Sequence, residues 1–124
     1  MISVLLARDE AEHRVPEPWR SMFRQIANAF AEGDFQLCDN AIEGVAPVDV
    51  TLADFFRESV RSYEDDLAPL NDATWERSFY RWMDGYWQFL VDLTTEQEPV
   101  SDLALHAKLD EKTGRSQLAS VHVP

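Results

Sequence analysis

The spacing of apolar residues changes from a helical to a strand period part-way along the chain. Trp19, Met22, Phe23, Ile26, Ala27 and Phe30 recur at three- and four-residue steps, which puts them on one face of a helix. Pro16 and Pro18 precede that run, where a missing N–H costs nothing, and Gly33 follows it, suited to the left-handed conformation that ends many helices. Leu52, Phe55, Phe56, Ser59, Val60 and Tyr63 repeat the pattern behind Asp49 or Thr51 as a cap, so a second helix is expected there. Between the two, Asp34 to Gly44 reads as a short third helix with Leu37, Cys38, Ala41 and Ile42 inward. Ala46-Pro47 then forces extended backbone.

From Ser78 the period is two. In S-F-Y-R-W-M-D-G-Y-W-Q-F-L-V-D-L the pair Asp84-Gly85 separates two aromatic, β-branched runs, the pattern of a two-residue hairpin turn whose central residues both need φ > 0. That register sets Trp82 opposite Trp87, Tyr80 opposite Phe89 and Arg77 opposite Asp92. One face is then a large apolar wall, whereas the other, with Phe79, Met83, Tyr86 and Leu90, is only half apolar. A second hairpin is expected at the end. Leu103, Leu105, Ala107 and Leu109 alternate, as do Ala119, Val121 and Val123, around a loop Lys112-Thr113-Gly114 with Gly114 left-handed. It pairs Glu111 with Arg115, Leu105 with Val121 and Leu103 with Val123.

Residues 67–74 and 95–101 read as loops. At the start, Ile2, Val4 and Leu6 alternate like a strand and Arg8 to Arg14 is polar, so residues 1–15 are expected to be loosely attached. The prediction is a single 124-residue α+β domain. Two or three N-terminal helices pack on a four-stranded antiparallel sheet made of two hairpins.

Charge sharpens the picture. The chain carries 23 acids and 11 bases, net −12. Residues 1–31 are balanced, four against four, and residues 77–124 hold seven acids against five bases. Residues 32–76 hold twelve acids against Arg57 and Arg61 alone, net −10. Such a field repels phosphate backbones and anionic lipid and attracts basic proteins, so neither nucleic acid nor a membrane is expected as partner. No apolar run is long enough to span a bilayer, no signal peptide is expected from the first ten residues, and the lone Cys38 fits a reducing cytoplasm.

Candidate chemistry is sparse. His106 and His122 fall on a diagonal of the second hairpin, on the face opposite the leucines, near Asp102 and Asp110. Two imidazoles so placed could share a metal, although two solvent-facing histidines are the commoner outcome. Asp92, inside an apolar strand, has the desolvation that raises a carboxyl pKa and an arginine opposite that lowers it. Cys38 lacks any nucleophile signature and reads as a small buried hydrophobe. Glycine-rich phosphate loops and zinc-protease motifs are absent from the sequence. No metal or cofactor is therefore expected.

The segment W-E-R-S-F-Y-R-W-M-D-G-Y-W-Q-F-L-V-D-L-T-T, followed by S-D-L-A-L and V-H-V-P, resembles a family of small uncharacterised bacterial cytosolic proteins. The likeness covers residues 75–124, with a weaker echo in G-D-F at 33–35. It implies a fold and a source but no catalytic residues. In general character, small and acidic, the chain is also similar to immunity proteins that neutralise basic toxins.

These readings converge on a protein-binding module, immunity- or antitoxin-like, that meets a basic protein through Asp65, Asp66, Asp72, Trp75 and Glu76. The alternative is a small enzyme or ligand-binding protein with a pocket between helices and sheet, using Asp92, His106 or His122. The half-apolar face at Phe79 and Tyr86 leaves both a monomer and a homodimer open.

Overall fold

The computed structural model describes residues 6–124. The two strong helical patterns form α1 (Glu17–Ala31) and α2 (Val50–Ser62). α1 buries Trp19, Met22, Phe23, Ile26, Ala27, Ala29 and Phe30 along one face. Gly33, at φ 87°, closes it: the Gly33 N–H donates to Phe30 O at 2.9 Å and the Asp34 N–H to Ala29 O at 2.9 Å. Two orphan carbonyls are thereby satisfied. α2 is capped by Asp49, whose carboxylate accepts the Leu52 N–H at 2.9 Å. Its inward stripe is Leu52, Ala53, Phe56, Val60 and Tyr63. Phe55, expected inward, is instead 65% exposed, because the helix turns its Ala53 edge to the core and leaves Phe55 on the flank.

The third helix expected at 34–44 does not form, and Cys38 and Ala41, expected inward, are exposed. Asp34 accepts the N–H groups of Cys38, Asp39 and Asn40, each at 3.0 Å, and Leu37 adopts φ 59°. A carboxylate that gathers three amides of its own loop competes directly with helical pairing. Burial raises the Asp34 pKa, but these donated bonds outweigh it and hold the group below its ordinary value.

Among the described residues the main sheet has five strands, one more than expected. β1 (His13–Arg14), β3 (Phe79–Trp82), β4 (Tyr86–Asp92), β6 (Ala104–Asp110) and β7 (Ser116–His122) form an antiparallel sheet in the order β1-β3-β4-β6-β7. β2 (Leu67–Ala68) and β5 (Thr94–Thr95) make a small second sheet, within segments that the sequence presents as loops. A 3₁₀ turn, Asp72–Glu76, precedes β3. The added edge strand β1 comes from the segment expected to be loose. It is anchored where the Ala7 N–H donates to the Tyr80 hydroxyl and the Trp87 indole N–H donates to Ala7 O, both at 3.0 Å. Ile2 and Val4 lie outside the described residues.

The first hairpin has the expected register, with Trp82 opposite Trp87 and Tyr80 opposite Phe89. Asp84 and Gly85 take φ 57° and 121°. The second hairpin agrees only at its far end, where Leu105 faces Val121 and His106 faces Ser120. Nearer the turn Ala107 pairs with Leu118 and Leu109 with Ser116, so one residue is absorbed by a bulge at Ala119. Asp110 rather than Glu111 then meets Arg115, and the Gly114 N–H closes the loop onto Asp110 O at 2.9 Å. The bulge puts Leu118 in the core in place of Ala119; Val123, expected opposite Leu103, lies past the end of β7 and is exposed.

One sheet face and the helices enclose the core. Phe89 lies at its centre, 5.7 Å from Trp19, 5.2 Å from Phe23 and 5.6 Å from Tyr80, ring centre to ring centre. On the outward face Phe79, Tyr86, Leu90 and His106 are half-buried.

Candidate functional site

The acids of the middle segment are sorted by the fold. α2 ends at Ser62, and Glu64 follows in a left-handed conformation, φ 61°. The chain then turns so that β2 pairs with β5, 26 residues ahead in the sequence at Ala68 and Thr94. That pairing clamps the 94–102 segment to the end of α2. The Tyr63 hydroxyl donates to Glu98 Oε1 at 2.5 Å and accepts the Asp102 N–H at 3.1 Å. The Glu98 carboxylate is the main reason the Tyr63 pKa is raised. The Gln97 N–H donates to Asp65 Oδ2 at 3.2 Å, and the Glu96 N–H donates to Asp66 O at 2.9 Å. Glu96 is thereby brought beside Asp65 and Asp66.

These residues line a groove of about 730 Å³ at the C-terminal ends of α1 and α2. Its apolar lining comes from Phe30, Phe35, Val60 and Leu67, and its acids are Glu64, Asp65, Asp66 and Glu96. Arg57 and Arg61 also line it, but Asp54 neutralises the first at 2.8 Å and Glu58 the second at 3.4 Å. The four acids have no basic partner of their own among the described residues. The groove therefore presents negative charge around an apolar lining.

Of the five residues assigned to a partner surface from sequence, Asp65 and Asp66 are on this groove and the other three are not. Trp75 is 3% exposed, with Arg20 and Arg24 over its ring at 5.3 and 5.5 Å. It belongs to the core and offers no exposed anchor. Asp72 pairs with Arg24 at 3.6 Å, and Glu76 is exposed at the end of the 3₁₀ turn. Phe35, Leu67 and Glu96 were not legible as groove residues. The two-residue pairing that assembles them leaves no periodic signal.

Asp92, His106 and His122 all lie on the outward face of the sheet. Leu90 faces His106, and Asp92 is separated from His122 by Ala104. The two imidazoles stack, 4.5 Å apart and 16° from parallel. Burial, and then repulsion from His122, pushes the His106 pKa down. Its Nε2 is buried without a partner. Among the described residues no group of three or more potential ligands is placed to hold a metal. The space between helices and sheet, where the alternative reading places a pocket, is occupied by Phe89, Phe23 and Trp19.

Asp92 is 6% exposed and meets Arg77 at 3.3 Å, as the register requires. Burial raises its pKa, Arg77 partly reverses this, and Asp102 adds to it. A carboxyl easier to protonate in the folded chain has a definite linkage. Below its ordinary value of 3.8 it is protonated in both states, and as pH rises from there the unfolded chain loses the proton first, so the folded state loses stability. Asp92→Asn is therefore expected to be at least as stable as the parent at pH 7, with the gap closing as pH falls towards 3.8. Arg77 is 60% exposed and is left in water, not stranded. Urea denaturation of both proteins at neutral and acid pH checks this; a less stable Asn variant at pH 7 would show that the ion pair outweighs the desolvation.

Fold and groove together define an acidic α+β domain with a negatively charged cleft at the ends of its two helices. The chain belongs to the family described as Domain of unknown function (DUF7668), which matches residues 27–124. No curated protein and no solved structure matches it. Among the described residues no helix is long and apolar enough to cross a membrane.

Proposed function

We propose that this protein is a binding module for a basic protein, taking a segment of cationic and apolar residues into the groove at the ends of α1 and α2. The role is that of an immunity- or antitoxin-like partner, acting by complementarity and not by chemistry. The observation that carries the reading is the pairing of an apolar lining with four acids that have no basic partner among the described residues. Holding Glu64, Asp65, Asp66 and Glu96 together costs repulsion, and the three that follow α2 sit where the helix dipole disfavours anions. A cationic partner relieves both costs. The packed interior between helices and sheet, and the placement of the histidines on the outward face, weigh against the enzyme reading.

The test uses a fluorescent peptide of alternating lysine and leucine. Stopped-flow association with the parent protein is expected to be fast at low salt and to slow as salt is added, since charge acts mainly on encounter. The variant Asp65→Asn, Asp66→Asn, Glu96→Gln is expected to associate about tenfold more slowly at low salt and with a shallower salt dependence. Asp72→Asn, which lies off the groove, is the control and should behave as the parent does. Equal rates and equal salt dependence for the triple variant would remove the groove from consideration.

A further inference from the structure

Away from the acidic groove, three segments distant in sequence meet around a second cavity, of about 380 Å³. α1 supplies an apolar wall of Pro18, Trp19 and Met22, and the Glu43–Gly44 turn and the tip of the β6–β7 hairpin complete it. The wall segments are tied to one another. The Ser116 N–H donates to Gly44 O at 2.7 Å, and the Ala46 N–H donates to Ser116 O at 2.8 Å. This is the one parallel bridge attached to the sheet among the described residues, Val45 beside Ser116. The Ser116 hydroxyl in turn meets Met22 Sδ at 3.7 Å. The cavity is thus shaped by backbone pairing and core packing, the preorganisation that a small-molecule site requires.

Arg115 sets the charge of what fits there. Among the described residues of this acid-rich chain, seven arginines stand within ion-pair distance of a carboxylate. Arg115, which lines the cavity, has none among the described residues and is exposed. Glu43, which also lines it, is already engaged in an interaction. The unmet charge is therefore a planar guanidinium, whose paired N–H donors match a carboxylate. Beside it lies a wall made of an indole, a thioether and a proline ring.

We propose that this cavity binds a small carboxylate with a flat apolar body, the carboxylate on Arg115 and the body against Trp19 and Met22. The volume lies near the lower end of the range for small-molecule pockets, which suits a single ring. The site is separate from the acidic groove and stands or falls independently of it.

The experiment is an amide and indole NMR titration of the full chain with benzoate and 3-phenylpropionate, and with benzamide as the uncharged match. Both carboxylates are expected to move the Trp19 indole and the Gly44 and Gly114 amides with millimolar affinity, and benzamide to bind several-fold more weakly. Arg115→Gln, on an exposed hairpin tip, should keep the melting temperature and weaken the carboxylates by about tenfold. Ser21→Trp, at the edge of the cavity on the exposed side of α1, should fill it and abolish the shifts. Absence of shifts at these positions with either carboxylate up to about 20 mM, well above a millimolar dissociation constant, would overturn the proposal. So would equal binding of benzamide, or affinity unchanged in Arg115→Gln.

Discussion

Phe89→Ala is expected to cost about 3–5 kcal/mol, the largest loss of any single truncation in this chain. Phe89 is 0% exposed and is the ring on which α1 and the central strands converge, touching Trp19, Phe23 and Tyr80. Truncation removes the transfer energy of a whole ring and leaves a cavity that α1 cannot collapse into, because α1 is also held by Met22, Ile26 and Phe30. Domains of this size have only about 5–15 kcal/mol in hand, so the variant sits close to unfolding at room temperature. Urea denaturation followed by tryptophan fluorescence measures the loss directly. A cost below about 1.5 kcal/mol, the range of volume-conserving swaps, would mean that the core repacks and that Phe89 is not its centre.

The next largest effect is expected at Gly85. Gly85 holds φ 121° in the β3–β4 turn, a conformation that a β-branched side chain resists. Nothing crowds the position, since an added Cβ meets no atom within 4 Å, so the cost of Gly85→Val is backbone strain alone. Residues held in such regions cost about 1–3 kcal/mol each. The turn also fixes the register of the sheet's two most aromatic strands, so relieving the strain by opening it would unpair Trp82 from Trp87. The expectation is a fall in melting temperature of about 4–12 °C. Gly85→Asn, which tolerates left-handed backbone better, should lose less. Equal losses for the two variants would show that strain at this residue is not the determinant.

What the sequence disclosed follows from the range of the interactions involved. α1 and the β3–β4 hairpin are local: a stripe at helical spacing, a Pro start, a Gly stop and an Asp-Gly turn are all readable within a dozen residues. The bulge at Ala119 is not, because both possible alternations, through Leu118 or through Ala119, are apolar enough to face the core. Residues 34–44 had the composition of a helix, but Asp34 gathered its own loop's amides instead. Phe55 was misplaced because a three-turn stripe does not say which edge of a helix is covered. The outward placement of His106 and His122 was legible, since pairing register alone determines it. The groove and the Arg115 cavity were not, since each is assembled from segments with no shared pattern and its walls exist only once β2 has met β5 or Val45 has met Ser116.

The short strand β1 has a bearing on how molecules of this protein behave towards one another. A sheet has two margins, and each offers unpaired N–H and C=O groups to any strand that arrives from another chain. Without His13 and Arg14, the margin would be Phe79–Trp82, three aromatic residues and one arginine, well suited to stacking against a copy of itself. Two residues of pairing, backed by the ion pair of Arg81 with Glu12 at 2.6 Å, replace that aromatic margin with a charged and abbreviated one. At the other margin the kink at Ala119 twists β7 away from straight pairing, and its first residue is already taken by Val45. A chain shortened past Arg14 would carry the aromatic strand Phe79–Trp82 at the sheet's margin, and is expected to associate with copies of itself more readily than the parent.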